Sequence, residues 1–181
     1  YNFSRYNFFL TNYLLHKNEK IKAEKVINDA VKKYNSNLLL KQSKIFMDYK
    51  KEKKIKDFFN CKNPKDSLAE FFYIVANLYA SEENYKLSNF YLKISFLLNR
   101  NFLPNRALLA ENYYFQDNYL LSKKAFNSLK KIGKTYSWHA SKNLATILNE
   151  EKGKEFSIKK LVNEFKLIIE PDFNHFYELA N

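Results

Sequence analysis

A short helical pattern recurs at regular intervals along this chain. A small residue opens each copy, at Ala76, Ala110 and Ala145, so that the copies follow one another at intervals of about 34 residues. The residue three positions later is large in each copy: Tyr79, Tyr113 and Leu148. A fixed period of this size is typical of repeat proteins, in which each unit buries its apolar face only by stacking on its neighbours. The pattern therefore predicts an array of similar units.

The composition favours helices as the repeating element. The chain has 181 residues but only 2 Gly and 3 Pro, the residue types on which the turns of sheet proteins depend. Around the first copy of the motif, Phe72, Ala76 and Tyr79 recur at the spacing of one face of an α-helix. Polar residues 81–84 follow, and a second apolar stripe begins at Leu87. We predict an all-α protein built from helical hairpins.

The pattern divides the chain into units of a single helical-repeat domain, 1–181. Complete units are expected at 3–36, 67–100, 102–136 and 137–171, and residues 37–62 form a degenerate unit with a short return helix. The motif begins again in an incomplete unit at 173–181. Because the chain begins at Tyr1 rather than Met and the last unit is unfinished, we expect a piece of a longer array.

Local signals predict where some of these helices begin and end. Asp66 or Ser67 is expected to cap the first helix of the 67–100 unit, because short polar side chains satisfy the free N–H groups of a helix start. Ser137 is expected to do the same for a helix from Trp138 onward. Gly153 marks the turn inside the 137–171 unit.

The small and large positions resemble those of the tetratricopeptide repeat family, whose units are helix–turn–helix hairpins of about 34 residues. The eighth position of that family is small, and here it is Thr11, Ala76, Ala110, Ala145 and Ala180. The twentieth is also small, and here it is Ala23, Ser88, Ser122 and Ser157. The family's turn glycine is replaced by Glu83 and Asp117. The resemblance, which extends to long bacterial proteins of many such repeats, implies a right-handed superhelical solenoid of antiparallel helix hairpins.

The resemblance also implies a ligand-binding groove. The first helix of each unit would line a concave surface, on which side chains three and four positions apart project together. The groove candidates are Tyr73, Asn77, Glu111, Tyr114 and Lys142. Amide groups at such positions can bond an extended peptide backbone, and tyrosines can take apolar side chains. Some family members hold a terminal carboxylate with a Lys, but Phe8 and Tyr73 occupy that position here, so this clamp is not implied.

The formal net charge of +12 has two interpretations. It can attract nucleic acid, anionic lipid or acidic peptides, or it can reflect a composition rich in Lys and Asn. We favour the second interpretation, because the lysines are spread along the chain and the densest run, 50–54, lies between two apolar segments. RNA binding stays open as an alternative, and it would need basic side chains that recur at one place in every unit.

The ionisable residues form no recognisable catalytic or metal-binding motif. His16, His139 and His175 have no Cys or carboxylate at ligand spacing. The single cysteine, Cys61, adjoins phenylalanines and is expected to be packed rather than nucleophilic. We therefore predict no enzyme activity, no metal and no cofactor.

These observations together predict a non-enzymatic scaffold for protein–protein interaction that binds a peptide or a partner protein on its concave surface. The alternatives are an RNA-binding helical-repeat protein and a structural spacer that self-associates through its incomplete last unit. The apolar runs are all too short to cross a bilayer, so no membrane span is predicted. The sequence fits either the bacterial cytoplasm or the periplasm.

Overall fold

The protein is helical throughout the part that can be described. A computed structural model describes residues 4–180, and these form eleven α-helices and no β-strand, so the prediction of an all-α protein is confirmed. The helices are α1 (Ser4–His16), α2 (Lys20–Lys33), α3 (Leu38–Asp48), α4 (Glu52–Phe58), α5 (Pro64–Ser81), α6 (Tyr85–Leu98), α7 (Leu103–Phe115), α8 (Tyr119–Leu129), α9 (Lys134–Lys152), α10 (Lys154–Lys166) and α11 (Phe173–Ala180). Residues 3 and 181, at the ends of the first and last predicted units, lie outside the described residues. None of the described helices is both long and apolar enough to cross a membrane.

Two of the predicted helix starts are wrong. Helix α5 begins at Pro64, and its cap is Asn63, whose side-chain oxygen accepts a hydrogen bond from Lys65 N at 3.1 Å. Proline suits the first helical position because its missing N–H would have no helical partner there. Asp66 is buried instead and accepts from Asn60 N at 2.7 Å. Helix α9 begins at Lys134, directly after Gly133, and not at the residue after Ser137.

The turn inside a hairpin has the same backbone conformation in four places. One residue in each turn takes a left-handed φ of 55–61°: Asn18, Lys50, Glu83 and Asp117. The N–H of the following residue bonds the carbonyl oxygen five positions earlier in all four turns, at 2.7–2.9 Å. This left-handed ending satisfies carbonyl groups that the helix leaves free. The four turns follow one another at nearly equal intervals along the chain, so the repeat exists in the backbone as well as in the sequence.

The internal contacts divide the chain into two compact units, and the single helical-repeat domain stays a prediction. The boundary falls between Asn112 and Tyr113, inside α7. The sequence shows no linker there because the helical pattern of α7 continues across the boundary.

In the first unit, α1 packs on α2, α3 and α4, and α5 packs on α6. A cluster of rings joins these helices: Phe9 lies 4.6 Å from Phe59, and Phe102 lies 5.7 Å from Tyr73 and 5.8 Å from Phe59, between ring centroids. Helix α1 reaches the third and fourth predicted repeats, since the Arg5 guanidinium lies 4.7 Å from the ring centre of Tyr73 and the Phe9 ring lies 6.3 Å from that of Phe102. A repeat in a simple array contacts only its neighbours. The intervening α4 has seven residues, too few to separate α1 from α5.

A ladder of buried polar side chains connects α6 with α7. Asn112 Nδ2 donates to Ser88 Oγ at 2.7 Å, and Asn105 Nδ2 donates to Ser95 Oγ at 2.8 Å. All four side chains are buried. In each helix the two partners are two helical turns apart, so the ladder runs along one face of two antiparallel helices. Because an unpaired buried amide is costly, the ladder favours one register of α6 against α7.

In the second unit, α8 packs on α9, α9 on α10, and α10 on α11. Gly153 ends α9 with a φ of +90°, a conformation that residues with a Cβ rarely adopt, as expected from its predicted role in the turn. Ser157 Oγ donates to the carbonyl oxygen of Ala145 at 2.7 Å. Two of the small positions of the repeat thus allow α9 and α10 to approach closely.

Candidate functional site

The five predicted groove residues fall in both compact units. Tyr73, Asn77 and Glu111 belong to the first unit, and Tyr114 and Lys142 belong to the second. Each group is therefore described within its own unit, and the five-residue groove stays a prediction.

Tyr73 is buried rather than open to a ligand. Only 8% of its surface is exposed. The guanidinium of Arg5 lies 4.7 Å from the centre of its ring, and the edge of Phe102 packs against it. Its hydroxyl accepts a hydrogen bond from Asn77 Nδ2 at 3.2 Å. Burial raises the pKa of Tyr73, and the charges of Glu70 and Glu111 add to that rise. Of these two residues, Asn77 is exposed and Tyr73 is buried, so a ligand would meet the Asn77 side-chain amide and not the Tyr73 ring.

Beside Tyr73 lies an ion pair between a half-buried arginine and a buried glutamate. Arg5 Nε on α1 is 3.1 Å from Glu70 Oε1 on α5. Glu70 is 9% exposed, and its second oxygen is buried without a hydrogen-bond partner among the described residues. Burial raises the pKa of Glu70 from 4.5 to about 7, against the opposing effect of Arg5. Desolvation therefore outweighs the attraction between the two charges, as is common for buried pairs.

In the second unit, Lys142 already has a partner from its own chain. Its Nζ lies 2.7 Å from Glu178 Oε1 on α11. The other oxygen of Glu178 accepts a hydrogen bond from Trp138 Nε1 at 2.6 Å. Tyr114 is half-buried, with its ring 6.0 Å from that of Tyr119. Helix α11 thus supplies a carboxylate to the lysine that the sequence assigned to a ligand.

The most prominent exposed feature of α5 is an apolar stripe that the sequence analysis did not identify. We call it the α5 stripe, and it consists of Leu68, Phe71, Ile74 and Leu78. Phe71 and Leu78 are 56% and 61% exposed. The opposite side of α5 carries the buried Ala69, Tyr73 and Ala76, while Phe72 and Tyr79, beside the stripe, stack on Tyr91 of α6. Helix α5 is therefore apolar on two sides, and only one of them is covered within the first unit.

The residues with reactive side chains are dispersed. Among the described residues, no group of three or more His, Cys, Asp or Glu side chains could hold a metal ion. Cys61, which was expected to be packed, is exposed in the loop before α5. Its Sγ lies 3.8 Å from the carbonyl oxygen of Phe9. Comparison with protein-family models, with curated proteins and with solved structures finds no match for this chain.

Proposed function

We propose that this chain is a non-enzymatic scaffold of stacked helix hairpins, of the tetratricopeptide type, that binds a partner protein on its helical surface. The recurrent left-handed turns at Asn18, Lys50, Glu83 and Asp117 support the repeat part of this proposal. Turns of one conformation at nearly equal intervals are expected when each hairpin occupies an equivalent place in an array. A right-handed superhelical solenoid is the arrangement we propose for these hairpins.

The single observation that carries the binding function is the α5 stripe. A helix that is apolar on both sides is normally covered on both sides. Contiguous exposed apolar side chains on a folded protein mark surfaces for protein contact. In a regular array the return helix of the preceding unit would help to cover α5, but α4 has only seven residues. We therefore propose that an amphipathic helix of the partner lies along the α5 stripe, with its apolar side chains at helical spacing.

The proposal is tested by the double variant Phe71→Ser, Leu78→Ser. Both side chains are more than half exposed, so the helix content measured by circular dichroism should not change. The matched control is Ile21→Ser on α2, which removes an apolar side chain that is 83% exposed from a different helix. Tagged forms of the three proteins are incubated with lysate of the source cells, and the bound proteins are quantified by mass spectrometry.

We expect at least one protein to be retained by wild type and by the Ile21 variant, and to be lost about tenfold or more from the double variant. That factor corresponds to the loss of two partly buried apolar side chains from an interface. The same set of proteins on all three forms would refute the assignment of the α5 stripe.

A second candidate, self-association through α11, is favoured by its exposed rings. Phe176 anchors α11 through Phe165, at 5.2 Å between ring centroids, while Phe173 and Tyr177 are 81% and 62% exposed. Light scattering over a range of concentrations tests it. A mass that rises with concentration and stays monomeric in Phe173→Ser, Tyr177→Ser supports self-association, and a monomer at every concentration excludes it.

A further inference from the structure

A cavity lies in the second unit between α8, α9 and α10. Its volume is about 270 Å³, which equals the space of roughly nine liquid waters. Leu144 and Leu148 on α9 supply an apolar wall. Lys123 on α8, Lys152 at the end of α9 and Lys160 on α10 bring cationic side chains to it from three helices.

The charges of the residues that line this cavity do not cancel. The lining contains three lysines and a single carboxylate, Glu151, which leaves a net charge of +2. Both oxygens of Glu151 are taken by Lys123, at 2.7 and 3.0 Å. The side chains of this ion pair are each about one third exposed, so opening the pair costs little. A second carboxylate could enter beside Lys152 and Lys160 or share Lys123.

The shape and chemistry of the cavity fit one class of ligand. Ammonium groups around an apolar wall match a carboxylate that is joined to an aliphatic chain. Asn127 adds an amide that can bond a peptide backbone. None of the lining residues is aromatic, so the cavity offers no platform on which a nucleic-acid base could stack. The overall charge of +12 would also draw an acidic partner toward the protein.

We propose that this cavity is a second binding site, which accepts a glutamate or aspartate side chain, next to an apolar residue, from a segment of a partner protein. The proposal rests on the proposed function in one respect, that the ligand is a protein. It uses a different surface from the α5 stripe, and the two can fail separately.

The test is an NMR titration of the ¹⁵N-labelled chain with an acetylated and amidated tetrapeptide of alternating glutamate and leucine. The same peptide with glutamine in place of glutamate is the control ligand. We expect the amide signals of Asn127 and Leu148 to move with the glutamate peptide and to move much less with the glutamine peptide. Equal shifts with both peptides, or none with either, would overturn the proposal.

The charge dependence is tested with the double variant Lys152→Gln, Lys160→Gln. Loss of two partly exposed charge contacts should weaken binding of the glutamate peptide about tenfold. The matched control is Lys154→Gln, Lys159→Gln, which removes two exposed lysines of α10 that do not line the cavity. Unchanged affinity in the first variant, or equal losses in both, would contradict the assignment.

Titrations with other anions test which class of ligand the cavity binds. Inorganic phosphate, an oligouridine and vesicles of anionic lipid are titrated in the same way. The proposal requires that each of them shifts the Asn127 and Leu148 signals less than the glutamate peptide at equal concentration, and tighter binding of any one at this cavity overturns it. The Phe71→Ser, Leu78→Ser protein should bind the tetrapeptide like wild type, which separates this result from the test of the α5 stripe.

Discussion

Ionisation of Glu70 should destabilise the folded protein, and the variant Glu70→Gln isolates this effect. Glutamine has nearly the same shape as protonated glutamate but carries no charge at any pH. Glu70 is faced by Arg5 on α1 and lies close to Tyr73 on its own helix, with Glu111 on α7 contributing a further negative charge to this cluster. Among the described residues, Arg5 is the only group whose interaction with Glu70 stabilises its charged form.

The size of the effect follows from the pKa. Because the folded-state pKa of Glu70 is raised from 4.5 to about 7, the folded protein holds this proton more tightly than the unfolded chain does. The folded state consequently loses stability as pH rises through that interval and loses no more above it. A shift of this size corresponds to about 3 kcal/mol. Glu70→Gln should thus match wild type near pH 4.5 and exceed its unfolding free energy by up to that amount above pH 7.

The assay is urea unfolding followed by circular dichroism, at about pH 5 and about pH 8.5, with the free energy taken from linear extrapolation. The quantity compared is the difference in unfolding free energy between variant and wild type at each pH, because the contributions of the other carboxyl groups cancel in that difference. Glu155→Gln removes an exposed glutamate from α10 and controls for the change in net charge. Arg5→Gln should act in the opposite direction, with a larger loss of stability at the higher pH. The reasoning is refuted if Glu70→Gln is less stable than wild type at the higher pH, or if the difference does not change with pH.

Three further predictions test the packing through the unfolding free energy. Glu83→Gly should stabilise the protein by about 0.5–1 kcal/mol, because glycine adopts the left-handed turn without strain, while Lys86→Gly within α6 should destabilise it by about 1 kcal/mol. A loss in both variants would contradict the turn conformation. Asn112→Ala should cost about 1–3 kcal/mol by leaving buried groups unpaired, and adding Ser88→Ala should cost less than the sum of the single changes. Asn118→Ala should cost about 1 kcal/mol, because Asn118 caps α8 through Leu121 N.

The hairpins could be predicted because their signal is local. Small residues at Ala145 and Ser157 mark the place where two helices approach, and the hydrogen bond between them is the physical reason for that pattern. The turn at Lys50 gives no such signal, since lysine does not favour a left-handed φ and the turn follows Asn18 at a slightly shorter interval than the period of the sequence motif. The left-handed turn therefore recurs at Lys50 although the side chains there do not indicate it.

The site was harder to predict because it depends on contacts between distant parts of the chain. Tyr73 has the spacing of a groove residue, but Arg5 and Phe102 bury it, and neither is close in sequence. The α5 stripe, by contrast, could have been found from the sequence. Phe71 and Leu78 are two helical turns apart on the side of α5 opposite to its packed face, so the helix is apolar nearly all round.

The most direct test of a scaffold that binds protein through α5 is photo-crosslinking in the source cells. A benzoylphenylalanine replaces Phe71 in one form of the protein and Leu120 of α8, which is 73% exposed, in the other. The account predicts a covalent adduct with a second protein from the Phe71 position, and no such adduct from the Leu120 position. No adduct at Phe71, or the same adducts from both positions, would contradict it.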